Sequence, residues 1–367
     1  MAGKVHSLGV SPMKKQRKGR SFNQTKGYEA PSAFALDMDK LTEETAIEYF
    51  IRVRWSDNDG KPYCPKCGHQ HVYRRKTRNS FICANRECRH NFSPTSGTAF
   101  DNRKLSYKKI ILAIHAFVDN SKGIAAVRMH NRIKMTNRNA FIFGHKLREL
   151  MVRDNENLAK EMPKLTGNIY VDGKWVGGHQ RQPNDVADRK DLRRKENRWS
   201  DRKNIVSMVS DERTRVAVFE TEAASVPWVK SNLASSAVVH LDEAFHWDEV
   251  GLIAETKRVN HKKKYSENGI TTNPVESLNG RYERSKIGIY HQISGHTLYY
   301  ATELAWREDF NQHALLPMVD IMMSHALTGR RCRMWRSNHG RYLAAIERQA
   351  EIEASRARRQ AAASIHA

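Results

Sequence analysis

Four cysteines stand in a pattern that few folds accommodate: Cys64 and Cys67, fifteen intervening residues, then Cys83 and Cys88. A C-x2-C pair followed by a C-x4-C pair has the ligand spacing of a zinc ribbon, in which two short knuckles each present two thiolates and one Zn²⁺ closes the tetrahedron. Such a unit is too small to fold alone, so the metal supplies what the core lacks. Pro65, Lys66 and Gly68 suit the tight turn of the first knuckle, and strands are expected at 72–74 and 80–82 around a basic turn. His69, His71 and His90 lie close by, but four thiolates already fill the coordination sphere. With four of five cysteines placed as ligands, a reducing compartment is expected, and Cys332 is left alone among arginines.

Charge narrows the partner. Lysine and arginine number 63 against 40 acidic residues, a net charge of +23. A surface of that sign attracts a polyanion and releases its counterions, so nucleic acid bound in a salt-dependent way is expected. No apolar run is long enough to cross a bilayer, and the polar, basic opening does not read as a signal peptide. At 367 residues the chain exceeds one core. The expected fold class is α+β and multidomain, in five stretches. These are a disordered basic arm at 1–38, a helix plus zinc ribbon at 39–100, a helical segment at 101–163, an α/β domain at 164–312 and a basic helical tail at 313–367. Within the arm, Lys14, Lys15, Arg17 and Lys18 are candidates for phosphate contact.

Apolar residues recur at helical spacing over 41–55, 105–118 and 124–130. A third helix in the 101–163 stretch is expected from an N-cap at Thr136 to Leu150, with Ala140, Phe143, Leu147 and Leu150 inside and Arg138, Lys146 and Arg148 outside. Helices joined by a polar turn, the last one basic, suit a helix-turn-helix that lays its final helix in a major groove of double-stranded DNA.

From residue 168 the pattern changes. Strands are expected at 168–172, 204–209, 215–219 and 237–241, with a helix at 223–232 and further helices at 273–284 and 294–310. A loop of mixed charge spans about 180–203. Three strands, a helix and a fourth strand, with an aspartate ending the first and fourth strands, outline an RNase H-like domain. In that layout Asp172 and Asp242 become neighbours, and the helix opened by Asn273-Pro274-Val275-Glu276 supplies a third group. Phosphodiester transfer calls for oxygen ligands of this kind, because two Mg²⁺ or Mn²⁺ ions about 3.5–4 Å apart activate the attacking hydroxyl and stabilise the leaving oxygen. Asp172 would bridge the pair, Asp242 would hold one ion, and Glu276 or Asn273 would complete the other. Glu303 is a further acidic candidate, and Lys262, Lys263 and Lys264 are placed to meet phosphates.

Several segments together resemble the zinc-ribbon-bearing DDE transposases of insertion sequences: CPKCG at 64–68, GTAF at 97–100, VDGKWVGG at 171–178, VNHKKKY at 259–265, NPVES at 273–277 and IGIYHQISGHTLYYATELAWR at 287–307. The resemblance covers roughly residues 42–310. It implies a divalent-metal-dependent DNA strand transferase that binds the terminal inverted repeats of its element, works as a homo-oligomer on DNA and resides in the nucleoid-bearing cytoplasm of a prokaryote. By position it assigns Asp172 and Asp242 as the first two metal ligands and Asn273 as the third, with Glu276 nearby. Two departures stand out. Gly173 occupies a place that is usually acidic, and Glu283 one that usually holds lysine. They leave open a DNA-binding regulator that has lost its chemistry, and a structure-selective nuclease on the same fold.

Overall fold

Helix α1 (Glu43–Arg54) starts where its sequence provides both halves of a cap: the Thr42 hydroxyl accepts the Thr45 N–H, and the Thr45 hydroxyl accepts the Thr42 N–H. Glu43 and Glu44 in its first turn and Arg52 and Arg54 in its last complement the helix dipole. The computed structural model describes residues 30–75, 79–161, 164–177, 185–189, 202–258, 266–267, 270–290, 293, 295–310 and 313–335. Lys14, Lys15, Arg17, Lys18, Lys262, Lys263 and Lys264 lie outside the described residues, as do most of the mixed-charge loop and the chain beyond 335. Among the described residues, 30–153 with 313–335 form one compact unit and 154–310 another.

In the first unit, three antiparallel strands, β1 (Val72–Arg75), β2 (Ser80–Cys83) and β3 (Asn91–Phe92), make the ribbon. Its small sheet leans on α1: the Trp55 ring meets Phe81 and Phe92 at 5.5 and 6.2 Å, and Trp55 is 1% exposed. Helix α2 (Tyr107–Asp119) is capped by Ser106 and also by the Glu43 carboxylate, which accepts the Tyr107 and Lys108 N–H groups at 2.8 and 3.0 Å. Helix α3 (Ala126–Ile133) ends at Lys134 in the left-handed conformation, and α4 (Asn137–Glu161) begins after Thr136, whose hydroxyl accepts the Asn139 N–H. The expected helices are therefore present, with α4 running further than its apolar stripe indicated.

The second unit is built on a five-stranded sheet of order β6-β5-β4-β7-β8. Strands β4 (Asn168–Val176), β5 (Lys203–Ser210) and β6 (Thr214–Phe219) pair antiparallel; β7 (Val238–Leu241) and β8 (Glu255–Arg258) continue parallel to β4. One face carries Ile169, Val171, Val206 and Met208 against Val226 and Val229 of α5 (Val226–Ser231). The other carries Val176, Ile205 and Val209 against α6 (Asn273–Ser285) and α7 (Thr297–Phe310). A short hairpin, β9 (Ser266–Glu267) with β10 (Ile270–Thr271), precedes α6. The helix expected over 223–232 is shorter than that span. A 3-10 turn at Ala223–Ser225 precedes α5 because Pro227 lacks the N–H that a helix interior needs and fits only its first turn.

The last helix, α8 (Leu315–Thr328), belongs to the first unit rather than to a separate tail. Val319, Met322 and Met323 are fully buried, and Asp320 accepts from the Tyr49 hydroxyl, the Ser32 hydroxyl and the Ala33 N–H at 2.7, 2.8 and 2.7 Å. The arginine-rich stretch that follows it masks an apolar helix in the sequence.

Candidate metal and catalytic centres

The ribbon brings its four cysteines together. Their sulfur atoms all lie within 4.8 Å of one another, with Cys64 3.8 Å from Cys88 and Cys67 3.6 Å from Cys83. Each knuckle turns backbone N–H groups toward sulfur: His69 toward Cys67, Asn85 toward Cys83 and His90 toward Cys88. The His69 N–H draws the Cys67 thiol down to about 7, while burial pushes Cys83 up to about 12. Gly68 sits at φ +74°, the left-handed conformation that the first knuckle's turn requires. These four residues can hold a metal ion, and their thiol chemistry fits zinc. His69, His71 and His90 do not join the set.

The second centre lies where β4 and β7 run side by side. Their parallel register pairs Asn168, Ile169 and Tyr170 with Val238, Val239 and His240. Two residues further on, Asp172 falls level with Asp242, just past the end of β7 at Leu241. Strand alternation turns Asp172 toward α6, where the Asn279 amide donates to its Oδ2 at 2.8 Å. Glu276 sits three residues earlier on that helix, its Oε1 accepting the Thr272 hydroxyl at 2.7 Å. Asp242 accepts the Ala244 N–H at 3.1 Å. Burial raises Asp172 to about 6, and the negative charges of Asp242 and Glu276 add to the rise against the Asn279 hydrogen bond. Asn273 occupies the exposed start of α6.

Three further side chains gather here that sequence reasoning missed. Asn279 is the first. Glu222, from the turn between β6 and α5, is the second: burial lifts its carboxyl to about 7, with repulsion from Asp172 and Asp242 behind it. His246 is the third, its Nε2 3.7 Å from a Glu222 oxygen. Burial lowers His246 although Asp242 pulls the other way. Among the described residues no lysine or arginine pairs with Asp172, Asp242 or Glu222. These carboxylates do not converge as the thiols do, since the four cysteines alone bring every ligand atom within 4.8 Å among the described residues. The donor set fits Mg²⁺ or Mn²⁺ in kind, being hard oxygen ligands in a partly buried place.

Glu303 is not available to this cluster. It is fully buried and held by Arg307 at 2.8 and 3.1 Å and by the Tyr290 hydroxyl at 2.8 and 3.0 Å. Glu283 pairs with Lys174 of β4 at 3.5 Å and with Lys286 at 3.3 Å.

The basic stripe assigned to α4 needs correction. Arg138 is exposed, as expected. Arg148 is 3% exposed with its guanidinium 5.5 Å from the Phe117 ring centre, and Lys146 is largely buried, donating to the Ala99 carbonyl at 3.2 Å. Arg148 is turned onto α2 at Phe117, and beside Lys146 and Glu149 the helix carries a second cover. Residues 330–335 return along it: the Trp335 ring stacks on His145 at 4.2 Å, and the Glu149 carboxylate accepts the Arg333 and Trp335 N–H groups at 2.6 and 3.2 Å. Exposed cations sit instead at Arg128, Arg132 and Lys134, on α3 and its turn.

No helix among the described residues is long and apolar enough to cross a membrane. Residues 164–309 match the ISXO2-like transposase domain, and residues 41–91 match the transposase zinc-ribbon domain. No curated protein and no solved structure matches the chain.

Proposed function

Because the chain belongs to the zinc-ribbon-bearing, DDE-type insertion-sequence transposases, we propose that it binds the terminal inverted repeats of its element and joins their 3′ ends to target DNA. The observation that carries this reading is the register of β4 and β7, which sets Asp172 level with Asp242 at one end of a β6-β5-β4-β7-β8 sheet. That strand order, with its antiparallel and parallel pairs, supports an RNase H-like domain. Asp172, Asp242 and Glu276 would hold the divalent ions. When bound, Mg²⁺ or Mn²⁺ activates the attacking hydroxyl and stabilises the departing oxygen. Asn279 fixes the orientation of Asp172 through its 2.8 Å hydrogen bond, so that one oxygen remains for coordination. The coupling of Glu276 to Asp172 favours Glu276 over Asn273 as the group from α6.

The ribbon, closed by Zn²⁺ on Cys64, Cys67, Cys83 and Cys88, and the helix-turn-helix of α3 and α4 read the DNA ends. Exposed cations such as Arg138 grip phosphates without reading sequence. Two ends must be joined, so the working form is a homo-oligomer on DNA.

A strand-transfer assay with labelled element ends tests this. Wild type joins ends to target in Mg²⁺ or Mn²⁺, and Asp172→Asn abolishes joining while end binding is retained. End binding without joining in wild type supports a regulator that has lost its chemistry. Cleavage without joining, indifferent to end sequence, supports a structure-selective nuclease. Either result overturns the transposase reading.

A further inference from the structure

Gly173 and Glu222 are separated by 48 intervening residues, yet each is shaped by the other. Because β7 stops at Leu241, the edge of β4 is open beyond Tyr170 on that side, and the Gly173 N–H is turned toward the Glu222 carboxylate. A methyl group on residue 173 would overlap that carboxylate and would lie 2.6 Å from the Asn204 side-chain oxygen. The space that any side chain at 173 would need is thus filled by an acidic group from another element.

Two observations set this apart from a chance gathering of acids. The Glu222 side chain is 20% exposed and lies within electrostatic reach of Asp172 and Asp242, yet its one basic neighbour among the described residues is His246. Burying like charges this way is costly unless a cation joins them, and the chain places this uncompensated pocket in a molecule of net charge +23. Asn204 is the second. It is 0% exposed, beside both Gly173 and Glu222, and among the described residues neither its amide nitrogen nor its amide oxygen has a partner. Buried amides are ordinarily satisfied. A free donor and acceptor aimed into a carboxylate pocket suit water molecules carried by a bound cation.

We propose that Glu222 is a metal-ligating residue of the acidic centre, delivering from the β6–α5 turn the carboxylate that Gly173 cannot carry and taking a divalent cation together with Asp172 and Asp242. His246 positions Glu222 from the outer side. The proposal rests on the reading that Asp172 and Asp242 hold divalent ions, and it adds a fourth acidic group supplied by neither β4, β7 nor α6.

The test is Mn²⁺ binding to the full, zinc-loaded chain, followed by the electron paramagnetic resonance of free Mn²⁺, in wild type, Glu222→Gln and Asp172→Asn. Glu222→Gln keeps the shape of the side chain and is expected to weaken Mn²⁺ binding at least about tenfold, with zinc content and DNA affinity unchanged and strand transfer partly recovered at high Mn²⁺. If Glu222→Gln binds Mn²⁺ as wild type does while Asp172→Asn does not, Glu222 is a bystander and the proposal is overturned. If Asp172→Asn also binds like wild type, the underlying reading of the centre fails instead. Should Glu222→Gln not fold, Gly173→Ala decides: it pushes the same carboxylate aside without changing its charge, and unaltered Mn²⁺ affinity there sinks the idea.

Discussion

Replacing Gly173 by alanine asks for one methyl group where two polar side chains already lie, and the structure indicates which of them gives way. Glu222 has a flexible end and partial exposure, so its carboxylate can swing outward. It would move away from the Gly173 N–H that faces it, but would also retreat from Asp172 and Asp242. Those two effects nearly cancel. Asn204 has no such exit, being wholly enclosed between β4 and β6. Overpacking of this kind costs about 1–3 kcal/mol, and with one heavy atom to displace the lower half of that range applies. Gly173→Ala is therefore expected to lower stability by about 1–2 kcal/mol, almost all of it through Asn204. A double-mutant cycle in urea unfolding separates the contributions. Asn204→Ala should absorb most of the cost of the added methyl, whereas Glu222→Ala should leave it unchanged within about 0.5 kcal/mol. If Gly173→Ala is neutral, the notch is not filled. If Glu222→Ala is the suppressor, the wrong group has been given freedom to move.

Two other expectations concern the first unit. Chelation should make four thiols reactive toward a disulfide reagent, while Cys332, 1% exposed and held near 12 by burial, reacts only on unfolding; five reactive thiols after chelation alone would contradict this. Arg148→Ala should destabilise the chain by about 1–3 kcal/mol without changing the salt dependence of DNA binding. Arg138→Ala should leave stability within about 0.5 kcal/mol and lower the slope of log affinity against log salt by about 1. Equal effects of the two on the salt slope would mean that α4 presents both cations to DNA.

Elements with a clean apolar period were legible. The stripe of α1, the runs of β5 and β6, and the cysteine spacing all translated into the expected local structure, because burial on one face leaves a periodic trace. Strand β8 left none: Glu-Thr-Lys-Arg is polar throughout and pairs through its backbone at the sheet edge. Helix α8 was obscured by the arginines after it, and the burial of Arg148 depends on α2, whose Phe117 ring lies 5.5 Å from the guanidinium. The pairing of Asp172 with Asp242 was legible because it follows from strand order alone. Asn279 had a usable signal, since it lies three residues after Glu276 and so on the same helical face. Glu222 had none of its own. It sits in a turn, where no apolar period marks which polar residue faces inward.

Trp55 closes α1 and at the same time forms the floor of the sheet that carries the four clustered cysteines. A chain deprived of its ion would therefore not simply shed a loose appendage. It would bare an indole and the aromatic wall behind it, and a metal-starved cell would be left with sticky, protease-sensitive protein instead of a weakened but intact one.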